Sequence, residues 1–410
     1  MFPPSDPIEP LSWQALSALA RSEPDRVNGD TNAQATLRLF GSDREAVRVT
    51  LYRDHHAWCP YCQKIWLWLE FQRIPYRIRK VTMRCYGRKE PWYLSKVPSG
   101  ILPALELDGD LITESDRILL ALEDAFGPFG LPLQSSAALE LRQLERLLFR
   151  AWCLWLCSPG LSPRQQRQAR SQFQSTASRF ERALDQQEGP WLDRAEPTGV
   201  DLVFIPYVER MNASLAYYKG FQLRREHPAI DRWLKALEQL EVYRGTQSDF
   251  HTHVHDLPPQ MGGCWFDDPL EDAALCQRID RGDGLGDDEA CWPSSAWAGM
   301  ESVALARVLR HRDKLLRSNP LGATAFDQPL RSALTRLVHG TNCSPNSGSA
   351  AGLRHLRDRI SVPRDMPLAA GRLLRQALEG TAALDGEAQP APLPTRDRFD
   401  QTPEPFLTTP

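Results

Sequence analysis

Several classes are excluded by what this chain lacks. It has no run of about 18 apolar residues, so no membrane-spanning helix is expected. Its first ten residues, Met1–Pro10, hold prolines with Asp6 and Glu9 and no basic residue, which argues against a secretory signal. Charge of one sign is also missing. Lys and Arg total 49 against 52 Asp and Glu, a net −3, so no global field favours nucleic acid or an anionic membrane, and neither partner is expected. The nine cysteines are odd in number and irregularly spaced, which excludes a disulfide framework and points to a reducing, cytoplasmic compartment. Only Cys59 and Cys62 form a C-x-x-C pair. A zinc site would lack two ligands at matching spacing, and no metal is expected.

What is present is ordinary globular composition, 42% hydrophobic and 25% charged over 410 residues, more than one domain's worth. Residues 1–46 read as a leader with a short helical stretch, Leu11–Ala20, and a turn-rich segment around Val27-Asn28-Gly29-Asp30. From residue 47 to 130 the order is strand (Val47–Tyr52), helix (Tyr61–Gln72, with Ile65, Trp66 and Leu69 on its apolar face), strand (Tyr76–Val81), short helix, hairpin and helix (Ser115–Ala125). The hairpin turns on Asp108-Gly109, a strong two-residue signal. This order predicts a small mixed sheet containing a right-handed βαβ unit, covered by helices. Residues 135–250 read as all-helical, with a capping box at Thr198 and Asp201 before the apolar run Leu202–Tyr207. Residues 257–388 read as a mostly helical extension. Arg-rich segments such as Ser302–Leu316 and Leu368–Leu378 alternate there with Pro-, Gly- and Asp-rich stretches such as Asp280–Glu289. The proline-rich tail, 389–410, is expected to be disordered. The class is α+β.

The chemistry centres on Cys59-Pro60-Tyr61-Cys62, between the first strand and the first helix. A thiolate, not a thiol, attacks disulfides and electrophiles. A helix amino terminus offers unpaired N–H groups and a positive dipole end to such an anion. Cys59 stands there with Pro60 at an N1-like position, where no donor is needed. Cys62 lies one turn deeper. Cys59 is therefore the expected nucleophile and Cys62 the candidate resolving thiol. The competing reading is a pair of structural cysteines.

These residues also carry a resemblance. The stretch Val47–Phe126, with Cys59-Pro60-Tyr61-Cys62, Ile101-Leu102-Pro103-Ala104-Leu105 and Thr113-Glu114-Ser115, resembles the thioredoxin-like amino-terminal domain of cytosolic glutathione transferases. The helical region resembles their all-α carboxy-terminal domain. The cysteine is similar to that of the omega-like and dehydroascorbate-reductase-like classes, and the long carboxy-terminal addition is similar to the iota class of photosynthetic organisms. The resemblance implies glutathione as co-substrate. It makes Pro103 a cis-proline that leaves the Leu102 backbone free to pair with the cysteinyl unit of glutathione. It assigns the γ-glutamyl group to Glu114 and Ser115, and the glycyl carboxylate to Lys89. It implies a thiol transferase or reductase acting on mixed disulfides or a small oxidant such as dehydroascorbate. Conjugation of glutathione to electrophiles is the second reading, and a non-catalytic binding or scaffold protein the third. Members are usually homodimers, an arrangement this large addition could block. Omega-like enzymes usually lack the second cysteine, so Cys62 leaves both a monothiol and a dithiol route open.

Weaker signals surround this one. Trp152, Trp155, Tyr207 and Tyr218 could line an electrophile pocket, although aromatic residues at helical spacing more often form core. His251, His253 and His255 alternate in what reads as a polar linker loop. Cys153 and Cys157, one helical turn apart, read as packing residues.

Overall fold

The computed structural model of the chain describes residues 9–21, 24–193, 195–267, 273–284 and 292–404. The elements run α1 (Trp13–Leu19), β1 (Leu37–Arg38), β2 (Val49–Asp54), α2 (Pro60–Phe71), β3 (Tyr76–Val81), α3 (Pro91–Lys96), β4 (Ala104–Leu107), β5 (Asp110–Thr113) and α4 (Ser115–Phe126). A helical array follows: α5 (Ser136–Cys157), α6 (Pro163–Asp185), α7 (Gly199–Lys219), α8 (Leu223–Glu226), α9 (Pro228–Gln239), α10 (Glu241–Thr246) and α11 (Phe250–Met261). The extension adds α12 (Ala273–Arg281), α13 (Met300–Ser318), α14 (Ala323–His339), α15 (Ala350–Arg357) and α16 (Leu368–Ala382).

The sheet order is β1-β3-β2-β4-β5, with β2 and β3 parallel and the other pairs antiparallel. The crossover between β2 and β3 is α2, which makes the expected βαβ unit. Asp108 and Gly109 both take positive φ, 53° and 97°, the geometry that a tight two-residue hairpin demands. At α7, Asp201 accepts the Thr198 N–H and hydroxyl at 2.9 and 3.2 Å, as the capping box predicts. The helix ends on Gly220 in the left-handed region, φ 58°.

Three expectations are corrected. The leader is no separate appendage: β1 pairs with β3, and Arg38 from it forks onto Glu70 of α2 at 2.9 and 3.0 Å, both side chains buried. The leader's other end, α1, packs into the extension, where the Trp13 indole donates to Asp327 at 2.7 Å. The histidine segment is no loop. It forms α11, capped by the Asp249 side chain on Thr252 N–H at 2.9 Å, and His251 and His253 are buried. The tail is anchored to the body at Arg398, which is fully buried and pairs with buried Asp256 at 2.9 Å, while its N–H donates to the Cys85 carbonyl at 2.7 Å. Proline-rich composition predicts disorder only where nothing pays the ordering entropy, and here a buried ion pair and backbone bonds offset it. Part of the Asp280–Glu289 stretch lies outside the described residues.

Two large hydrophobic clusters result, beside a small one of Tyr52, Val81, Tyr93, Val97 and Ala104. One joins the sheet, α2 and the helices from α5 to α12, and the other joins α1 to α13, α14, α15 and α16. Buried Arg375 of α16 locks the second to the first. It reaches Asp249 at 2.9 Å, Thr252 at 3.1 Å and the Ile360 carbonyl at 2.6 Å.

Candidate active site

At the carboxyl end of β2 the chain folds back on itself before entering α2. Asp54, the last strand residue, accepts the Trp58 N–H at 2.7 Å, and Ala57 between them takes φ 54°. That loop delivers Cys59 to the N-cap of α2 with Pro60 at its first position. Arg210 of α7 closes the loop from the other side: it donates to the Trp58 carbonyl and to Gln63 Oε1 at 2.9 Å, and its guanidinium lies 4.4 Å over the Trp58 ring. Behind Gln63 stands Glu209, which takes the Gln63 amide at 3.1 Å and His253 Nε2 at 2.8 Å. His253 is therefore a support of the loop.

The two thiols have different environments. Cys59 is 6% exposed and Cys62 2%. The Cys62 thiol donates to Cys59, and burial together with that bond raises its pKa well above 9. Cys62 is thus held protonated, while the sulfur of Cys59 is the acceptor at the helix terminus, where N–H dipoles favour an anion. The Asp54 carboxylate completes the group, with its oxygen and both sulfurs mutually within 4.8 Å. One Asp54 oxygen has no hydrogen-bond partner, which leaves a carboxylate acceptor near the two thiols. Three such donors are also one short of a closed tetrahedral zinc site.

Sheet register brings the other sequence-predicted residues to the same edge. Tyr52 of β2 pairs with Ala104 of β4, and Ala104 pairs with Thr113 of β5. One step beyond stand Pro103, joined to Leu102 by a cis peptide, and Glu114. Glu114 is exposed with φ 69°, a left-handed conformation that costs of order 1–3 kcal/mol for a non-glycine residue and tends to mark ligand clamps. Ser115 follows it, buried, at the start of α4. Lys89 donates to the Thr82 carbonyl at 3.1 Å. Burial lowers its pKa, offset by attraction to Cys62, Glu90 and Cys59.

The proposed electrophile pocket is corrected. Trp152, Trp155, Tyr207 and Tyr218 are at most 5% exposed and belong to the helical core. Trp155 is wedged between Phe173 and Phe221, and the Tyr218 hydroxyl is spent on the Val254 carbonyl at 2.7 Å. Tyr207 alone of the four reaches toward the site, edge-on to Tyr61 at 5.8 Å. Cys153 and Cys157 pack against the helical core, as expected. Cys157 accepts hydrogen bonds from Cys153 and Cys264, which hold its pKa below the ordinary thiol range.

Residues 58–125 match the model of the glutathione S-transferase N-terminal domain, and residues 163–236 match that of the C-terminal domain. The chain carries both domains of the glutathione S-transferase family. Among similar glutathione S-transferases, DHAR2 of Arabidopsis thaliana is 24% identical over 190 residues, 46% of this chain and 84% of the relative. Glutathione S-transferase L3 of the same plant is 23% identical over 47% of this chain and 79% of its own length. Among solved structures, glutathione transferase Omega 3C from Trametes versicolor aligns with a TM-score of 0.42 and 27% identity, covering 49% of this chain and 90% of that one. Dehydroascorbate reductase from Chlamydomonas reinhardtii gives 0.42 and 21%, covering 49% and 93%. Within the stretch that matches the N-terminal domain model, Cys59 stands at the entrance of α2.

Sequence reading missed Asp54, Gln63 and Arg210. Asp54 could have been found, since it ends the strand just before the C-x-x-C motif. Arg210 had no local signal, because it reaches Trp58 across a sequence separation of 152 residues.

Proposed function

We propose that this glutathione transferase is a glutathione-dependent thiol transferase, reducing mixed disulfides or a small oxidant of the dehydroascorbate kind. The observation that carries the reading is the arrangement of Cys59 at the N-cap of α2 with a protonated Cys62 donating to it. The Cys59 thiolate attacks the glutathionyl sulfur of a mixed disulfide. The S–S bond breaks, the leaving thiolate departs, and Cys59 becomes glutathionylated. A second glutathione thiolate then attacks that bond, releasing oxidised glutathione and regenerating Cys59. In the dithiol variant Cys62, its proton passing to Asp54, attacks the Cys59 sulfur instead: the Cys59–glutathione bond breaks, glutathione leaves as its thiolate, and a Cys59–Cys62 disulfide forms, which two further glutathione thiolates would reduce, releasing oxidised glutathione. Glutathione itself would lie along the edge formed by Leu102-Pro103 and Glu114-Ser115. Its cysteinyl backbone would pair as an added strand, its γ-glutamyl carboxylate would face Ser115, and its glycyl carboxylate would face Lys89. A cysteine that itself bonds to glutathione suits reduction better than conjugation to a third molecule.

Incubation with oxidised glutathione, followed by peptide mass mapping, tests this. Glutathione should appear on the Cys59 peptide, and Cys59→Ser should lose thiol transferase turnover by on the order of 10³-fold or more. Mapping is needed because Cys157 is a second candidate for the adduct. Retained turnover in Cys59→Ser would refute the assignment. Cys62→Ser separates the routes, since a monothiol enzyme keeps most of its activity.

A further inference from the structure

Three thiols meet where the end of α5 touches the start of the extension, and neither the chemistry at Cys59 nor the glutathione edge uses them. Cys153 and Cys157 stand one turn apart at the end of α5, and Cys264 lies on the segment that follows α11. The Trp265 N–H donates to the Leu156 carbonyl at 3.0 Å, and the Asp267 N–H to the Tyr218 carbonyl at 3.1 Å. The segment therefore runs as a strap across the ends of α5 and α7. Lys219, the last residue of α7, pairs with Asp267 of the strap at 2.7 Å. This pairing sets Cys264 beside Cys157, and Cys157 accepts hydrogen bonds from both other thiols. All three cysteines are partly exposed, within reach of a solute.

The three are not equivalent. Hydrogen bonds from Cys153 and Cys264, with the Lys219 ammonium nearby, favour the Cys157 thiolate, and the same bonds keep the other two thiols protonated. Thiolate character combined with exposure is what makes a cysteine react. Geometry then chooses its partner. Residues four apart on a helix hold their Cβ atoms about 5–6 Å apart, whereas a disulfide requires about 3.5–4.5 Å. Cys153 therefore reaches Cys157 only by distorting α5. Cys264 is off the helix, on a strap entered through Gly262 and Gly263 at φ 82° and 140°. The strap can shift toward α5 without bending a helix.

We propose that Cys157 and Cys264 form a second redox site, in which Cys157 takes glutathione from oxidised glutathione and Cys264 displaces it, leaving a disulfide that staples the strap to α5. The Cys157 thiolate attacks one sulfur of oxidised glutathione, the S–S bond breaks, and one glutathione leaves as its thiolate. That thiolate takes the Cys264 proton. The Cys264 sulfur then attacks the Cys157 sulfur, the bond to glutathione breaks, and the second glutathione leaves as its thiolate. The proton that Cys157 lost to water on ionising returns to this second thiolate. Two cysteines give up two electrons, and one oxidised glutathione becomes two reduced ones. No step involves Cys59, so the site stands apart from thiol transfer at α2.

The test treats the Cys59→Ser chain with oxidised glutathione and maps its peptides without reduction. A cross-linked Cys157–Cys264 peptide should form, with no glutathione retained on either residue. Adding Cys264→Ser should trap one glutathione on Cys157. Adding Cys157→Ser instead should cut modification of Cys153 and Cys264 by about tenfold or more. The wild-type chain should give the same cross-link, a readout that needs no variant to fold. Iodoacetamide labelling of wild-type Cys157 should change less than about twofold between about pH 6 and 8, where an ordinary thiol gains roughly tenfold per unit. Thiol transferase turnover should be unchanged in the single variant Cys264→Ser. An unmodified Cys157, a Cys153–Cys157 cross-link in place of the expected one, or glutathione that stays on Cys157 with Cys264 intact would overturn the proposal. Lost turnover in Cys264→Ser would also overturn it, because the two sites would then be one. Retained turnover in Cys59→Ser refutes only the assignment at α2.

Discussion

At the scale of single residues, the site depends on how unlike its two thiols are. Cys59 has the helix terminus and a hydrogen bond from Cys62, whereas Cys62 has burial and a carboxylate neighbour, both of which favour its neutral form. The sign of the resulting pH dependence follows. A thiol whose pKa lies well above 9 stays protonated and unreactive through neutral pH and gains nucleophilicity only as the solution becomes strongly alkaline. Iodoacetamide at pH 7 should therefore modify Cys59 and leave Cys62 unmodified in peptide maps. Equal labelling of the two at pH 7 would contradict the geometry. Both cysteines were readable in the sequence as a four-residue motif. The identity of their neighbours was not, because Arg210 and Gln63 meet only when α7 packs against α2.

At the scale of elements, α2 and α7 are the most instructive. The sequence of α2 suggests one apolar face, yet every residue from Cys62 to Glu70 is buried. Its polar residues are paired internally: Lys64 with Asp116 at 3.1 Å, and Glu70 with Arg38 at 2.9 Å and the Tyr76 hydroxyl at 2.7 Å. A polar residue therefore does not mark a solvent face when a third layer packs over it. In α7 the local rule held. Asp201 accepts from Thr198 twice, from the Leu192 N–H at 3.1 Å and from the Trp233 indole at 3.0 Å, although burial raises its pKa to about 6. Asp201→Ala strands four donors and should cost about 2–4 kcal/mol in denaturant unfolding, with Asp201→Asn costing less because one acceptor remains. An Ala variant as stable as wild type would show that water replaces the cap.

On the scale of the whole molecule, the extension and tail are part of the folded body. Helix α11 carries Asp249 and Asp256, which receive Arg375 and Arg398 from segments more than a hundred residues away. Removing one partner of a buried pair leaves an uncompensated charge, worth about 3–5 kcal/mol. Arg398→Ala should therefore destabilise the protein by that order, and a chain truncated after residue 388 should lose at least as much. Chemical denaturation of both variants checks this, and a truncated protein with unchanged stability would return the tail to the status of a dispensable segment.

The sequence alone determined the features that are local in physics. The βαβ order follows from hydrophobic period and turn chemistry, the hairpin from Asp108-Gly109, the α7 start from Thr198 and Asp201, and the thiol site from two cysteines one turn apart after a strand. Each is settled by interactions within a few residues. Tertiary structure decided everything that turns on who buries whom. It made a helix of the histidine segment, whose imidazoles are apolar enough to bury once Glu209 and Asp358 face them at 2.8 and 3.4 Å. It drew the aromatic set into the core and the proline-rich tail onto the body. It also set Cys264 of the extension beside Cys157 of α5. Burial is a property of the assembled layers, and charges distant in sequence meet only after those layers have packed.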